Sequence, residues 1–377
     1  MIRTFAMLCT AALCVTVHAG PSVDRDFFCS LLKIPSITSD IPKVNEAVEF
    51  VRSHLESAGV PCTVEEDSNG RRALYASTRP GKVMDYLFVV HLDVVPAGPE
   101  QFNPRIENGK VYARGAYDCK GNAAIAARLL VDLLGKASVG VVFSSDEETG
   151  GSTTKMMVDR GYAANKLVLV VDSGSYGAFY AQKGNFYVLA RAVGKGGHSS
   201  QPKKCINPIE KLAIGCQRVR ESWPAQTEDG WCDVISPTVL SSGSARNAIP
   251  DTADVWYNLR FVNDDAPDRL CRLLEESGFV VADKYSTGAP MMSNVDDPEI
   301  QRFIAARKSQ WPNRKCELER LMAITDARHF SKCGKPVLIT GSFGGGAHAV
   351  DEWNDLANMD ENLAMFEAFF LKRRVQK

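Results

Sequence analysis

DYLFVVHLD, at residues 85–93, is an apolar run that ends on a histidine and an aspartate. A short, continuously apolar segment of this kind is typical of a strand buried on both faces of a parallel sheet. Similar runs follow at 139–144 and 167–171, and the apolar stretch 122–134 has the spacing of a helix. This alternation of strand and helix predicts an α/β fold in which helices cover a mostly parallel sheet.

Polar side chains follow each predicted strand at its carboxyl end. His91 follows the first run, the acidic stretch 146–148 the second, and Asp172 the third. In a parallel sheet, ligands collect at this edge. Carboxylates crowded there repel each other unless cations neutralise them, and imidazole with carboxylate oxygen suits zinc, cobalt or manganese better than calcium. The sequence therefore predicts a transition-metal site.

A different organisation begins after residue 183. Strands are predicted at 186–193, 236–242, 254–261 and 278–283, and helices at 207–219 and 265–277. Outside this segment, helices are predicted at 43–58, 297–308 and 354–371, and a strand at 336–339. We expect an inserted α+β domain at 184–286, within a catalytic domain made of residues 21–183 and 287–377.

Residues 1–20 have the composition of a secretory signal peptide. Arg3 gives a basic start, an apolar core too short for a comfortable membrane span follows, and small residues suitable for cleavage come next. We expect a secreted or periplasmic protein; the alternative is that the segment forms the first helix of the mature fold. Removing Cys9 and Cys14 leaves nine of the 11 cysteines, and no CxxC pair suggests a cysteine-based zinc site.

Length and charge limit the class of protein. The 377 residues favour two domains, since an ordinary domain has roughly 100–200 residues. The formal net charge is −1, so no global field attracts nucleic acid or an anionic membrane, and neither is expected as a partner. Selectivity for a charged ligand therefore requires a local site.

Each polar cluster taken alone has an ordinary structural interpretation. A histidine after a strand is more often structural than a ligand, a Glu-Glu pair before glycine is usually a solvated turn, and Asp118 could cap the helix that follows it. The glycines at 344–346 could form a flexible loop. Only the clusters as an ordered set predict a metal site that activates water, with a further carboxylate to move its proton.

The ordered set resembles one known family. Its motifs are HLDVVPAG (91–98), ARGAYDCKG (113–121), SSDEETGG (144–151), VVDSG (170–174), GKGGHSSQP (194–202), SARNAIP (244–250), TDARHF (325–330) and GGGAHAVDEW (344–353). They are similar to the dinuclear-zinc metallopeptidase and deacylase family. That family includes succinyl-diaminopimelate desuccinylase, acetylornithine deacetylase, aminoacylase, carnosine dipeptidases and glutamate carboxypeptidase. The match extends over essentially the whole chain after residue 20.

The resemblance implies two divalent metal ions, zinc in the first place and cobalt or manganese as alternatives. The implied metal ligands are His91, Asp118 as the bridging residue, Glu148, Asp172 and His348. Glu147 would be the general base and acid, and Asp93 would orient His91. Asp146 is expected either to support a ligand from behind or to be structural. The implied reaction is hydrolysis of an amide bond in a small peptide or N-acylated amino acid.

The inserted domain would correspond to the lid of this family, which also carries a homodimer interface. His198 resembles the histidine that reaches the partner's active site and steadies the transition-state oxyanion. Asn247 and Arg328 resemble substrate-positioning residues, and the planar fork of Arg328 is suited to gripping a carboxylate. Arg260 is a further candidate, with an ordinary surface charge as the alternative.

Two positions depart from or divide the family pattern. Many members have methionine at the position of Cys119, and a cysteine there could be a spare soft ligand. Aspartate at the position of Asp172 is commoner in the aminopeptidases and dipeptidases than in the deacylases, which favours a peptidase. The competing classes are a catalytically dead peptide-binding homologue and a single-metal hydrolase of another bond such as an ester; the bridging Asp118 argues against the latter.

Overall fold

The computed structural model describes residues 21–172 and 174–371. The predicted signal peptide and the last six residues of the predicted catalytic domain lie outside this range. The helices are α1 (Arg25–Leu32), α2 (Ile41–Ser57), α3 (Lys120–Leu133), α4 (Ser152–Asp159), α5 (Pro208–Ser222), α6 (Ala266–Glu276), α7 (Pro298–Gln310) and α8 (Leu356–Leu371).

The first nine strands along the chain are β1 (Cys62–Glu66), β2 (Arg72–Ser77), β3 (Val83–His91), β4 (Arg105–Glu107), β5 (Lys110–Tyr112), β6 (Val139–Ser144), β7 (Ala163–Val170), β8 (Ala178–Gln182) and β9 (Gly184–Val193). They are followed by β10 (Gly197–His198), β11 (Val234–Ser242), β12 (Ala248–Ile249), β13 (Thr252–Phe261), β14 (Val280–Gly288), β15 (Met291–Met292), β16 (Leu318–Leu321), β17 (Val337–Ile339), β18 (Gly344–Gly345) and β19 (Trp353–Asp355).

The large sheet has the order β1-β2-β6-β3-β7-β17-β8-β15, with β16 paired to β8. Its centre is parallel from β6 through β3 and β7 to β17, while the neighbouring pairs β2-β6 and β17-β8 are antiparallel. The α/β fold with a parallel sheet, predicted from the run at 85–93, is confirmed, and antiparallel strands extend the sheet on both sides.

Alternate side chains of β3 enter two different hydrophobic cores, as a strand buried on both faces requires. Phe88 and Val90 belong to the larger core, which α1, α2, α3, α7 and α8 cover. Leu87 and Val89 point to the opposite face, where α4 and the segment around Phe330 cover them. The continuous apolar pattern at this strand therefore reflects helices packed on both sides of the sheet.

Helix α2 forms where the sequence predicts it, because its apolar residues recur on one face. Val44, Val48 and Leu55 are buried, and the side chain of Asp40 accepts a hydrogen bond from the backbone N–H of Lys43. This cap satisfies one of the free donors at the helix start. None of the helices in the described residues combines the length and apolar character that a membrane span requires.

A second sheet, with the order β11-β13-β9-β14, lies within 184–288 and has its own hydrophobic core. On β9 and β13, every second residue packs under α5 and α6; Val188 and Val255 are examples. The residues between them lie on the opposite face, which no helix of this segment covers. The strand predicted at 278–283 continues to Gly288.

Candidate metal centre

Three neighbouring elements of the large sheet bring the predicted ligands together. His91 is the last residue of β3, and its register partner Ser144 ends β6, directly before the short helix Glu147–Thr149. Asp172 follows β7. The Nε2 atom of His91 lies 2.9 Å from Oδ1 of Asp118 and 3.3 Å from Oδ1 of Asp172. Because Asp118 lies just before α3, the ends of β3 and β7 and the start of α3 together place a histidine between two carboxylates.

His348 approaches the same carboxylates from the loop between β18 and β19. Its Nε2 atom lies 3.2 Å from Oδ2 of Asp118 and 3.2 Å from Oε2 of Glu148. The backbone of His348 has a φ of +65°, a left-handed conformation that a residue with a side chain rarely adopts. The backbone of His348 is thus held in an uncommon conformation. Its imidazole lies next to Asp118, and Asp118 lies between the two histidines.

The ligand atoms of His91, Asp118 and Glu148 all lie within 4.8 Å of one another, which is close enough for one ion to contact all three. The Oε1 atom of Glu148 is buried and has no hydrogen-bond partner among the described residues. A buried carboxylate oxygen without a partner is costly, and a cation next to it removes that cost. The residues present therefore fit a divalent metal ion.

Burial and crowding change the ionisation of these carboxyl groups. Burial raises the pKa of Glu148 to about 7 and that of Asp172 to about 6. Burial and the charge of Asp172 also raise the pKa of Glu147. Burial opposes ionisation of Asp118 as well, but hydrogen bonds from His348 and His91 hold its pKa below the usual value. A divalent cation would favour the charged forms of all four groups.

Asp93 is buried behind His91 and contacts several parts of the site. The Nδ1 atom of His91 lies 2.9 Å from the backbone carbonyl oxygen of Asp93 and 3.4 Å from its carboxylate. The same carboxylate accepts hydrogen bonds from the backbone N–H groups of Glu147 and Glu148, at 3.1 and 3.3 Å. Asp93 therefore fixes the histidine ring mainly through its carbonyl group, and its carboxylate fixes both glutamates.

Arg328 contacts the predicted general base. Its Nη2 atom donates a hydrogen bond to Oε1 of Glu147 at 2.9 Å, and it lies 3.3 Å from Oδ1 of Asp326. Arg328 is located on the short helix Asp326–Phe330, whose preceding residue Thr325 accepts a hydrogen bond from the backbone of Ala327. The guanidinium group is therefore held beside the carboxylate of Glu147, the predicted general base.

An ion pair that the sequence analysis did not identify joins two of the ligand loops. Nη1 of Arg114 donates to Glu352 at 2.6 Å, and both side chains are buried. Glu352 also accepts hydrogen bonds from the backbone N–H groups of Tyr117 and Asp118, at 2.9 and 3.0 Å, and Arg114 donates to the carbonyl oxygen of His348. This pair ties the loop of Asp118 to the loop of His348.

Asp146 and Cys119 lie beside the ligands and bond to other groups. The carboxylate of Asp146 accepts a hydrogen bond from the backbone N–H of Thr153 at 3.0 Å, in the first turn of α4, which agrees with a structural role. The thiol of Cys119 lies close enough to His91 and Asp172 to share an ion with them, but it donates to the carbonyl oxygen of Val171 at 2.8 Å.

A cleft of about 700 Å³ opens over the metal-ligand cluster. One side consists of site residues, including Glu147 and Arg328. The other side is the uncovered face of the second sheet, and Arg260 is part of this wall. The Nη1 atom of Arg260 is buried and has no hydrogen-bond partner among the described residues. The structure thus places Arg260 in the cleft, where a ligand would meet it.

His198 and Asn247 are not among the residues that line this cleft. Both are exposed, and they lie on adjacent segments, because β10 pairs with β12 and the backbone N–H of Ser199 donates to the carbonyl oxygen of Asn247 at 3.1 Å. The candidate metal ligands therefore lie close together within one chain. His198 and Asn247 lie on the surface of that chain, outside the cleft.

The fold and the site together define a metal-dependent hydrolase with histidine and carboxylate ligands at the carboxyl edge of a parallel sheet. The chain belongs to the family described as "Peptidase family M20/M25/M40", whose model matches residues 87–372. The sequence resemblance to this group of metallopeptidases and deacylases is thereby confirmed.

Curated relatives extend over nearly the same length. The chain is 26% identical over 371 residues to succinyl-diaminopimelate desuccinylase from Wolbachia sp. subsp. Brugia malayi, covering 89% of this chain and 90% of the relative. The desuccinylase of Cereibacter sphaeroides is 26% identical, covering 89% and 95%. Among solved structures, aminopeptidase PepT from Bacillus cereus superposes with a TM-score of 0.76 at 17% identity, covering 93% of this chain and 98% of that one.

The family and its relatives establish the general activity. The chain is an enzyme, a metallohydrolase that cleaves amide bonds. The likeness to the solved structures, at 17% identity for PepT, supports the fold.

Proposed function

We propose that this protein uses two divalent metal ions, zinc in the first place, to hydrolyse the amide bond of a small peptide or an N-acylated amino acid. The observation that carries this proposal is the convergence of two histidines on the half-buried Asp118, with Glu148 and Asp172 on either side. Nitrogen and oxygen donors of these types suit zinc, cobalt and manganese.

The arrangement supports a division of the ligands between the two ions. His91 and Asp172 would hold one ion, since their atoms lie 3.3 Å apart. His348 and Glu148 would hold the second, and Asp118 would bridge the two because its separate oxygens approach His91 and His348. When bound, such a pair of ions supplies Lewis acidity that polarises a carbonyl group and lowers the pKa of water.

Glu147 is the proposed general base and acid. Glu147 lies beside the candidate ligands and accepts a hydrogen bond from Arg328. It also lines the cleft, so a substrate bound there would be within its reach. In this role the carboxylate takes a proton from water and passes it to the leaving amine. Burial raises the pKa of Glu147, which makes its carboxylate a stronger base for the first of these transfers.

Two arginines suggest that the substrate carries a carboxylate. Arg328 and Arg260 both line the cleft, and Nη1 of Arg260 is buried with no hydrogen-bond partner within residues 21–172 and 174–371. A carboxylate accepts hydrogen bonds from a guanidinium group in a matching planar geometry. Dipeptides and N-acylated amino acids both offer such a group on the leaving side of the amide.

Two hypotheses describe the substrate class, a peptidase as the first and a deacylase as the alternative. Asp172 in place of glutamate favours a peptidase, as the family pattern implies. The two curated relatives described above are succinyl-diaminopimelate desuccinylases, which supports a deacylase as the alternative. A panel of substrates separates these two hypotheses.

We propose that residues 184–286 form a lid and that the protein is a homodimer through it. The edge strand β11 exposes Val239 and Leu240, at 57% and 63%, and helix α5 exposes Ile209 and Ile214. Exposed apolar residues on an edge strand favour pairing with another chain. His198 would then steady the oxyanion in the partner's site, and Asn247 would position the substrate there.

The test is an assay of the purified full chain after chelation and after separate addition of zinc, cobalt and manganese. The panel contains dipeptides, N-acetyl and N-succinyl amino acids, and one ester matched to the best amide. We expect chelation to abolish amide hydrolysis and one or more metals to restore it. Undiminished amide hydrolysis in metal-free protein, or hydrolysis of the ester alone, would contradict the proposal.

A further inference from the structure

Two stacked tyrosines form part of the cleft wall that faces the catalytic residues. Tyr187 of β9 and Tyr285 of β14 are register partners, and their ring centroids are 4.9 Å apart with an interplanar angle of 24°. Both rings line the cleft over the metal ligands. Tyr285 remains 51% exposed, so part of its surface is open to a bound molecule.

The position of these rings differs from that of the aromatic and aliphatic residues in the core. On β9, Phe186, Val188 and Ala190 pack beneath the helices of the second sheet, while Tyr187 lies on the uncovered face between them. Trp256 meets Tyr285 edge to face, with centroids 6.0 Å apart and an angle of 68°. The tyrosine pair therefore packs against another ring of the same sheet, and its remaining surface faces the cleft.

Arg260, whose Nη1 atom has no hydrogen-bond partner in the described part of the chain, lies next to this pair. Arg260 is the register partner of Asn185, which is two residues before Tyr187 on the same strand and the same face. Diagonal neighbours of this kind in an antiparallel pair lie within reach of long side chains. The wall thus combines a flat aromatic surface with a hydrogen-bond donor that lacks a partner.

We propose that the Tyr187–Tyr285 pair binds a planar aromatic group of the substrate, carried on one side of the scissile amide. A third ring extends the stack on the open surface of Tyr285, and offset or edge-to-face contact between rings is more favourable than burial of the same area alone. This inference rests on the proposed function for the location of the scissile bond, and it adds the substrate class.

Binding to the Glu147→Gln protein loaded with zinc tests the inference without turnover. The probes are N-benzoylglycine, N-acetylphenylalanine and N-acetylglycine, which place a ring on the acyl side, on the amine side, or on neither. We expect at least one aromatic probe to bind more tightly than N-acetylglycine in a calorimetric titration. The advantage should fall by roughly 2- to 10-fold in a Tyr285→Ala background.

Two variants separate a stacking contact from a general disturbance of the lid. Tyr285→Phe keeps the ring and should keep the aromatic advantage. Val280→Ala changes an exposed residue on the same strand, outside the cleft lining, and should leave all three affinities unchanged. Binding of N-acetylglycine should be within about twofold of the parent value in every variant, because this probe has no ring to stack.

Equal affinity for the three probes would overturn the inference, and so would an aromatic advantage that survives in Tyr285→Ala. These outcomes are distinct from failure of the proposed function, which would show as absence of amide hydrolysis by the wild-type metal-loaded protein.

Discussion

Glu352 illustrates how a residue that is neither a ligand nor a base can determine the geometry of the metal site. Its carboxylate accepts from the backbone of Asp118 and pairs with Arg114, which in turn donates to the carbonyl oxygen of His348. Outer partners of this kind orient the groups that hold a metal.

The change Glu352→Gln should weaken metal binding by about 10- to 100-fold, because Arg114 loses its buried partner and the two ligand loops are no longer tied together. The measurement is a competition titration of zinc against a chromophoric chelator. Asp351→Asn is the matched control, since Asp351 is exposed on the same loop. Equal zinc affinity in Glu352→Gln and wild type would contradict this positioning role.

The candidate metal ligands could be located from the sequence because each follows a recognisable strand or motif, and the structure brings their side chains close together. His91, Glu148 and Asp172 all come after apolar runs whose carboxyl ends meet in a parallel sheet. The Arg114–Glu352 pair could not be predicted in this way. Its members are 238 residues apart, and charged residues near loops are usually solvated.

Among the helices and strands, those with strong apolar periodicity could be predicted from the sequence. The strand predicted at 139–144 has the same bounds as β6, and α3 lies within two residues of the predicted 122–134. Short or half-exposed elements were missed. The 8-residue α1 is too short for a clear period, and β1, with no buried residue, lacks a run of buried apolar positions.

Helices α3 and α8 carry two carboxyl groups at their contact. Burial and a hydrogen bond to Asp132 raise the pKa of Glu367 to about 7, above its ordinary value of 4.5. The folded state therefore holds this proton to a higher pH than the unfolded chain. Stability from this group is lost as the pH rises from about 4.5 to about 7.

Replacing Glu367 by glutamine should therefore raise the melting temperature at pH 8, where the ionised pair is unfavourable, and have little effect at pH 4.5. Thermal unfolding of wild type and Glu367→Gln at both pH values measures this difference. An equal gain in melting temperature at both pH values would contradict the prediction, because it would show that Glu367 and Asp132 are not coupled.

At the scale of the molecule, two sheets with separate cores share one cleft. The candidate metal ligands follow strands of the large sheet or lie in the loops beside it, and the second sheet supplies Arg260 and the tyrosine pair. The sequence shows the change of pattern near residue 183, where a compact set of strands and helices replaces the α/β alternation, and two of these strands, β9 and β13, alternate between buried and exposed residues. It could not give the contents of the cleft wall, since these depend on how the two sheets face each other.

The exposed position of His198 leads to a prediction about a pair of subunits. Glu147→Gln and His198→Ala should each be nearly inactive as pure proteins. If His198 acts in the partner's site, co-expression in equal amounts should restore about one quarter of the wild-type activity, because half of the dimers then contain one complete site. Absence of restored activity in co-purified mixed dimers would show that His198 does not act across the interface.

In the proposed mechanism, Glu147 moves the proton while other residues hold the metal ions. The most direct test is the turnover number of Glu147→Gln at a metal content matched to wild type. We predict that the variant keeps its metal and loses about 10²- to 10⁴-fold in kcat, the usual contribution of a general acid–base group. Wild-type turnover by the metal-loaded Glu147→Gln protein would contradict the account.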